Sequence, residues 1–141
     1  MPLAGGEVAA LAGVVNRSRL IVFSLDGKQQ LAEPVAEVRE LAPPPLEASA
    51  EQVAVGKTLF AARCMPCHGD GAVGGGVVPD LRYMSAQTHA EFDAIVLGGL
   101  RHDKGMVGFA NVSGNAVFGK DEVDAIHAYV IKRAHDALAK P

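Results

Sequence analysis

The chain has 141 residues and a formal net charge of -3, with acidic and basic residues mixed along its length. That length allows one ordinary domain and some extra chain. The charge pattern lacks the basic stripe of a nucleic-acid binder, and no apolar run reaches the length of a membrane span. Aromatic residues make up 5% and there is no tryptophan, while glycine and proline are frequent. A large apolar cofactor would therefore supply core that the side chains lack.

The N-terminal stretch Met1 to Val15 has no basic leader and no convincing A-x-A cleavage site, and Glu7 interrupts the entry to the apolar run Val8 to Val15. Arg19-Leu20-Ile21-Val22-Phe23-Ser24-Leu25 reads as a strand closed by the turn pair Asp26-Gly27. One strand cannot bury its own faces, so residues 1–33 read as an arm belonging to a larger β structure. Pro34 and the run Pro43-Pro44-Pro45 mark residues 34–48 as a proline-rich linker with no regular structure.

Residues 49–141 read as a small helical domain. Ser49-Ala50-Glu51-Gln52 fits an S-x-x-Q capping box, and Val53, Gly56, Phe60 and Arg63 fall on one stripe of the helix that follows. Thr88-His89-Ala90-Glu91 reads as a second capping box, opening a helix with Phe92, Ile95 and Val96 inward and Gly98-Gly99 at its end. A last helix starts near Gly119 to Asp121. Its apolar face is Val123, Ile126, Tyr129, Val130 and Ala134, and Lys132, Arg133 and His135 suit the dipole at its far end.

Between the first two helical stretches lies Cys64-Met65-Pro66-Cys67-His68, which contains both cysteines of the chain. C-x-x-C-H is the attachment pattern of c-type haem. Two thiols at this spacing can bond to the two vinyl groups of one porphyrin, and the adjacent imidazole then becomes the proximal iron ligand. A thioredoxin-like disulfide would need the motif at a helix start after a strand, and here it ends a helical stretch. A structural zinc site would need further Cys or His ligands at suitable spacing. The glycines Gly69, Gly71 and Gly74-Gly75-Gly76 lack the G-K-[ST] ending of a phosphate loop and suit backbone wrapping a haem edge.

With these residues in place, the second half resembles a class I cytochrome c: three or more helices around a covalent haem. In that family the first and last helices cross closely at a small residue and an aromatic pair, positions that Gly56, Phe60 and Tyr129 occupy. The resemblance implies His68 and Met106 as the iron ligands. Met106 sits in Gly105-Met106-Val107-Gly108-Phe109-Ala110, thirty-eight residues after His68. Met84 and His102 are the rivals, while Met65 is inside the binding loop. The resemblance also implies that the backbone carbonyl at Pro79 orients His68, and that Arg82 and Tyr83 face a haem propionate.

A closer likeness covers nearly the whole chain. The stretches 70–83, 92–99 and 125–131 are similar to the cytochrome domain of type II quinohaemoprotein alcohol dehydrogenases, and residues 19–28 resemble the last strands of the propeller that precedes it. In that family the propeller binds pyrroloquinoline quinone (PQQ) and calcium and oxidises an alcohol. The implied role here is electron transfer through haem c, from the reduced quinone of the propeller domain to an external copper protein or cytochrome. The stretch Ser113 to Gly119 looks longer than usual for the family. The covered chain shows no catalytic residue of its own. Haem c attachment outside the cytoplasm implies a periplasmic protein whose export signal lies elsewhere, with this chain a processed protein or a piece of a longer one. The alternatives are a free-standing periplasmic cytochrome shuttle, a haem subunit of another oxidoreductase, and a ligand-binding sensor with an open iron.

Overall fold

The structure is a computed structural model that describes residues 25–28, 30, 39–74, 78–110 and 117–139. The expected strand falls outside the described residues except for Leu25, which lies with Asp26 in an exposed turn. Glycines 75 and 76, and residues 113–116 of the stretch before the last helix, also lie outside them.

Among the described residues the architecture is helical. Five α-helices follow in order: α1 Ala50–Arg63, α2 Met65–His68, α3 Ala86–Ala90, α4 Phe92–Val96 and α5 Lys120–Leu138. Short 3-10 turns occupy Asp70–Ala72, Leu81–Tyr83 and His102–Lys104. None of the described helices is long and apolar enough to cross a membrane.

The first capping residue is where the sequence puts it: Ser49 Oγ accepts from the Gln52 backbone N–H at 3.2 Å, satisfying one of the donors a helix start leaves open. The second differs. Ser85, not Thr88, caps α3 and accepts from Thr88 N–H at 3.2 Å. Thr88 instead lies inside α3, where its hydroxyl accepts from Arg101 at 3.0 Å. Two serine/threonine caps three residues apart compete, and the earlier one gains an extra turn of helix. Glu91 breaks the backbone between α3 and α4, so the single expected helix is two short ones. At α5, Glu122 reaches back to accept the Gly119 N–H at 2.8 Å.

The core forms where α1 packs on α5, the most extensive contact between elements. Phe60, Val123, Ile126 and Val130 are its largest fully buried side chains. The expected face of α5 is buried throughout, from Val123 to Ala134. On α1, Gly56 and Phe60 are buried, whereas Arg63 is exposed. A Cβ at Gly56 would fall 1.8 Å from the carbonyl oxygen of Ala125, so only glycine allows the two backbones to come this close. One turn along, the rings of Phe60 and Tyr129 meet with centroids 5.3 Å apart at 54°, a favourable tilted geometry.

The chain before α1 has no regular structure from residue 39 to 47, yet it touches the helices. His135 Nε2 lies 2.9 Å from the Pro44 carbonyl oxygen. As a carbonyl can only accept, this nitrogen carries the proton. Pro45, Leu46 and Glu47 line a shallow cleft of about 320 Å³ with Asp124, His127 and Ile131.

Candidate haem-binding site

The end of α1 brings the two cysteines and His68 together. Cys64 closes α1 and opens α2. Its carbonyl accepts from His68 N–H at 2.9 Å and from Cys67 N–H at 3.2 Å, and Pro66 fits the first turn of α2 because its missing N–H is not needed there. All three side chains thus come from one tight turn. Both thiols are free: Cys64 is buried and Cys67 exposed. Burial first, and then the neighbouring Cys67, push the Cys64 thiol up to about 11. It stays protonated at neutral pH and lacks the low pKa of a redox-active C-x-x-C pair.

His68 is half-buried, and its Nδ1 is buried with no hydrogen-bond partner of full geometry. Burial lowers its pKa; the backbone carbonyl of Pro79 acts in the opposite direction. The balance favours the neutral imidazole, with the Pro79 carbonyl close enough to act on the ring. A neutral imidazole has a ring-nitrogen lone pair to offer a metal. Two thiols and a neutral imidazole on one turn fit the requirements of haem c.

The remaining expected site residues are placed as follows. Arg82 is held by Asp80 through two bonds, Nε to Oδ1 at 3.0 Å and a terminal nitrogen to Oδ2 at 2.7 Å, and this partner raises its pKa. Two of its five N–H donors thus go to Asp80, a pairing not apparent from the chain alone. Two guanidinium groups lie over the Tyr83 ring, Arg39 at 5.6 Å and Arg82 at 5.8 Å from its centre.

Met106 is partly buried against the core, as are Leu81, Leu97 and Phe109. Its loop is laced to α4 and the turn beyond: Met106 N–H donates to Arg101 O at 3.1 Å, Phe109 N–H to Val96 O at 2.8 Å and Ala110 N–H to Leu97 O at 3.1 Å. Of the rival ligands, His102 is exposed in its 3-10 turn and Met84 is buried in the core cluster.

Two arrangements near these residues escaped the sequence reading. Arg133 of α5 donates from Nε to the Gly71 carbonyl at 3.1 Å, just beyond the cysteine motif. His89 and His127 pair, Nδ1 to Nε2 at 2.8 Å, with His127 stacked on Phe92 at 4.1 Å and 8°. Each joins positions far apart in the chain, so no local pattern announces it.

Comparison with known proteins places the chain in a family. Residues 51–130 match the family model described as cytochrome c oxidase, cbb3-type, subunit III. The chain is 43% identical over 137 residues to quinohaemoprotein alcohol dehydrogenase ADH IIB of Pseudomonas putida, covering 95% of this chain and 19% of that protein. It is 36% identical over 143 residues to the dehydrogenase subunit of alcohol dehydrogenase (quinone) from Acetobacter aceti, covering 99% of this chain and 18% of that one. The solved structure of ADHIIG from Pseudomonas putida HK5 superposes with a TM-score of 0.71 at 39% identity, over 82% of this chain and 16% of that one. The chain thus spans about a fifth of the length of these relatives. The chain belongs to this cytochrome c family: it has a class I cytochrome c fold, carries haem c and serves haem-based electron transfer, and its relatives are quinohaemoprotein alcohol dehydrogenases.

Proposed function

We propose that this chain is the electron-output unit of a PQQ-dependent alcohol dehydrogenase, with haem c bonded through Cys64 and Cys67 and ligated by His68 and Met106. The observation that carries the proposal is that Cys64, Cys67 and His68 share one tight turn, with the Pro79 carbonyl acting on the imidazole. Each thiol S–H would add across one vinyl double bond, so attachment needs no oxidant. When bound, haem c supplies a one-electron iron couple. His68 would offer the iron a ring nitrogen, with the Pro79 carbonyl acting on its ring. Met106 offers a soft thioether from the loop stitched to α4, which favours the reduced metal. Arg82 and Tyr83 would lie beside a propionate, with the Asp80 carboxylate holding the Arg82 fork in a fixed orientation.

The proposed division is an arm over residues 1–33, a linker over 34–48 and the cytochrome domain over 49–141. Electrons would come from the reduced quinone of a propeller domain that holds PQQ and calcium, and would leave to an external copper protein or cytochrome in the periplasm. The alternative of an oxidase-type haem subunit fits less well. The oxidase-named family model begins at residue 51, whereas the dehydrogenase relatives align over 93–99% of the chain and so take in the arm and linker.

The test is anaerobic addition of a primary alcohol to the complete protein loaded with PQQ and calcium. Reduction of the haem at the rate of alcohol oxidation is expected. A haem that stays oxidised while alcohol is consumed would reject the proposed electron route.

A further inference from the structure

We propose that Arg133 is a positioning residue for the haem-attachment turn: from α5 it holds the Gly71 carbonyl and fixes a positive charge beside the backbone that carries His68. The proposal rests on the assignment of Cys64 to His68 as the haem-attachment segment.

The turn that leaves His68 is an uncommon one. Gly69, Gly71 and Ala72 all have positive φ, at 74°, 63° and 65°. Ala72 is the one non-glycine residue with positive φ among the described residues, and it is fully buried. An alanine in this region persists only where its surroundings hold it there. The long-range hydrogen bond that holds this turn is Arg133 Nε to Gly71 O, at 3.1 Å and 62 positions apart. A side chain at Gly71 would collide with the same group, since a Cβ there would sit 2.8 Å from an Arg133 terminal nitrogen. The glycine thus serves both the backbone conformation and the seat of the guanidinium.

The local charges make the arginine matter electrostatically as well. Burial chiefly raises the pKa of Tyr129; Arg133 opposes the rise while Asp70 and Asp136 add to it, so all three charges act on one small region. Asp136 is paired chiefly with Lys132 and lies 3.6 Å from Arg133. Removing the Arg133 charge would leave that region more negative. Oxidised haem iron carries one more positive charge than reduced iron, so a nearby cation disfavours the oxidised form and raises the potential. Arg133 would thus act twice, by anchoring the chain three residues beyond the proximal histidine and by its charge.

The test uses the full haem-loaded chain as wild type, Arg133→Gln and Arg133→Lys. Three quantities are read: covalent haem content, reduction potential, and amide exchange at Val73, whose N–H donates to Asp70 O across the turn. The expected result is unchanged haem content in all three. Arg133→Gln should shift the potential downward and speed Val73 exchange several-fold. Arg133→Lys should recover most of the potential, because it keeps the charge, but not the slow exchange, because it lacks the guanidinium fork. A haem-bearing Arg133→Gln with wild-type potential would overturn the inference and leave the haem assignment standing. If that variant does not accumulate folded, unchanged Val73 exchange in Arg133→Lys would overturn it instead. A wild-type chain with no covalent haem would overturn both.

Discussion

Gly56 and Ala125 bring the first and last helices into backbone contact: no atom larger than hydrogen fits on the Gly56 side facing the Ala125 carbonyl, because a Cβ would lie 1.8 Å from its oxygen. The obstacle is backbone, which cannot swing aside as a side chain can. Gly56→Val should therefore separate α1 from α5 and destabilise the haem-loaded protein by about 1–3 kcal/mol or more. The denaturant midpoint is the measurement. A midpoint equal to wild type would mean that the helices do not meet here.

Phe60 and Tyr129 should be energetically coupled through their ring contact. In a double-mutant cycle with leucine at each position, the coupling should be about 0.5–1.5 kcal/mol. Strict additivity of the two single variants would show that the rings share a core without interacting specifically.

Acid should weaken the fold through the His89–His127 pair. Burial first, and then the charge of His89, lower His127 from 6.5 to about 4; Lys120 adds to the lowering, and Asp93 and Asp124 oppose it. His89 is lowered as well, by burial. The folded state thus keeps neutral rings at a pH where the unfolded chain binds protons. The resulting stability is complete above pH 6.5 and is lost as the pH falls towards about 4. His127→Gln should flatten the stability–pH curve across that window. An unchanged slope would assign the acid sensitivity to other groups.

Met106→Ala should abolish the weak long-wavelength sulfur-to-iron absorption of the oxidised protein and lower the potential, because the proposed thioether ligand, a soft donor that favours Fe(II), would be lost. The same substitution at Met84 should leave the band and reduce stability by about 2–5 kcal/mol, as expected of a core methionine. An intact band in Met106→Ala would transfer the ligand role to another residue.

What could be read from the chain was local or periodic. The C-x-x-C-H run, the Ser49 cap and the buried face of α5 are each set by neighbours within a few residues. Gly56 was legible because a glycine inside an amphipathic helix needs a packing reason. Most of the missed features are contacts between distant segments. The two-bond hold of Asp80 on Arg82 depends on side-chain direction, and the Arg133–Gly71 bond, the histidine pair and the His135–Pro44 contact depend on how α5 lies against loops. The misplaced second cap shows a different limit: Thr88 opens the capping-box pattern, yet Ser85, with Thr88 rather than Glu or Gln three residues on, is the cap of α3.

The most direct test of the account is the intact mass of the denatured chain, produced with a functional haem c maturation system. The wild-type chain should gain the mass of one haem, resistant to acid–acetone extraction. Cys64→Ala and Cys67→Ala should each retain at most a single thioether link, and the double variant should show the bare polypeptide mass. A wild-type chain at its bare mass, or one lighter by two hydrogens from a Cys64–Cys67 disulfide, would contradict the assignment of this chain as a haem c electron carrier.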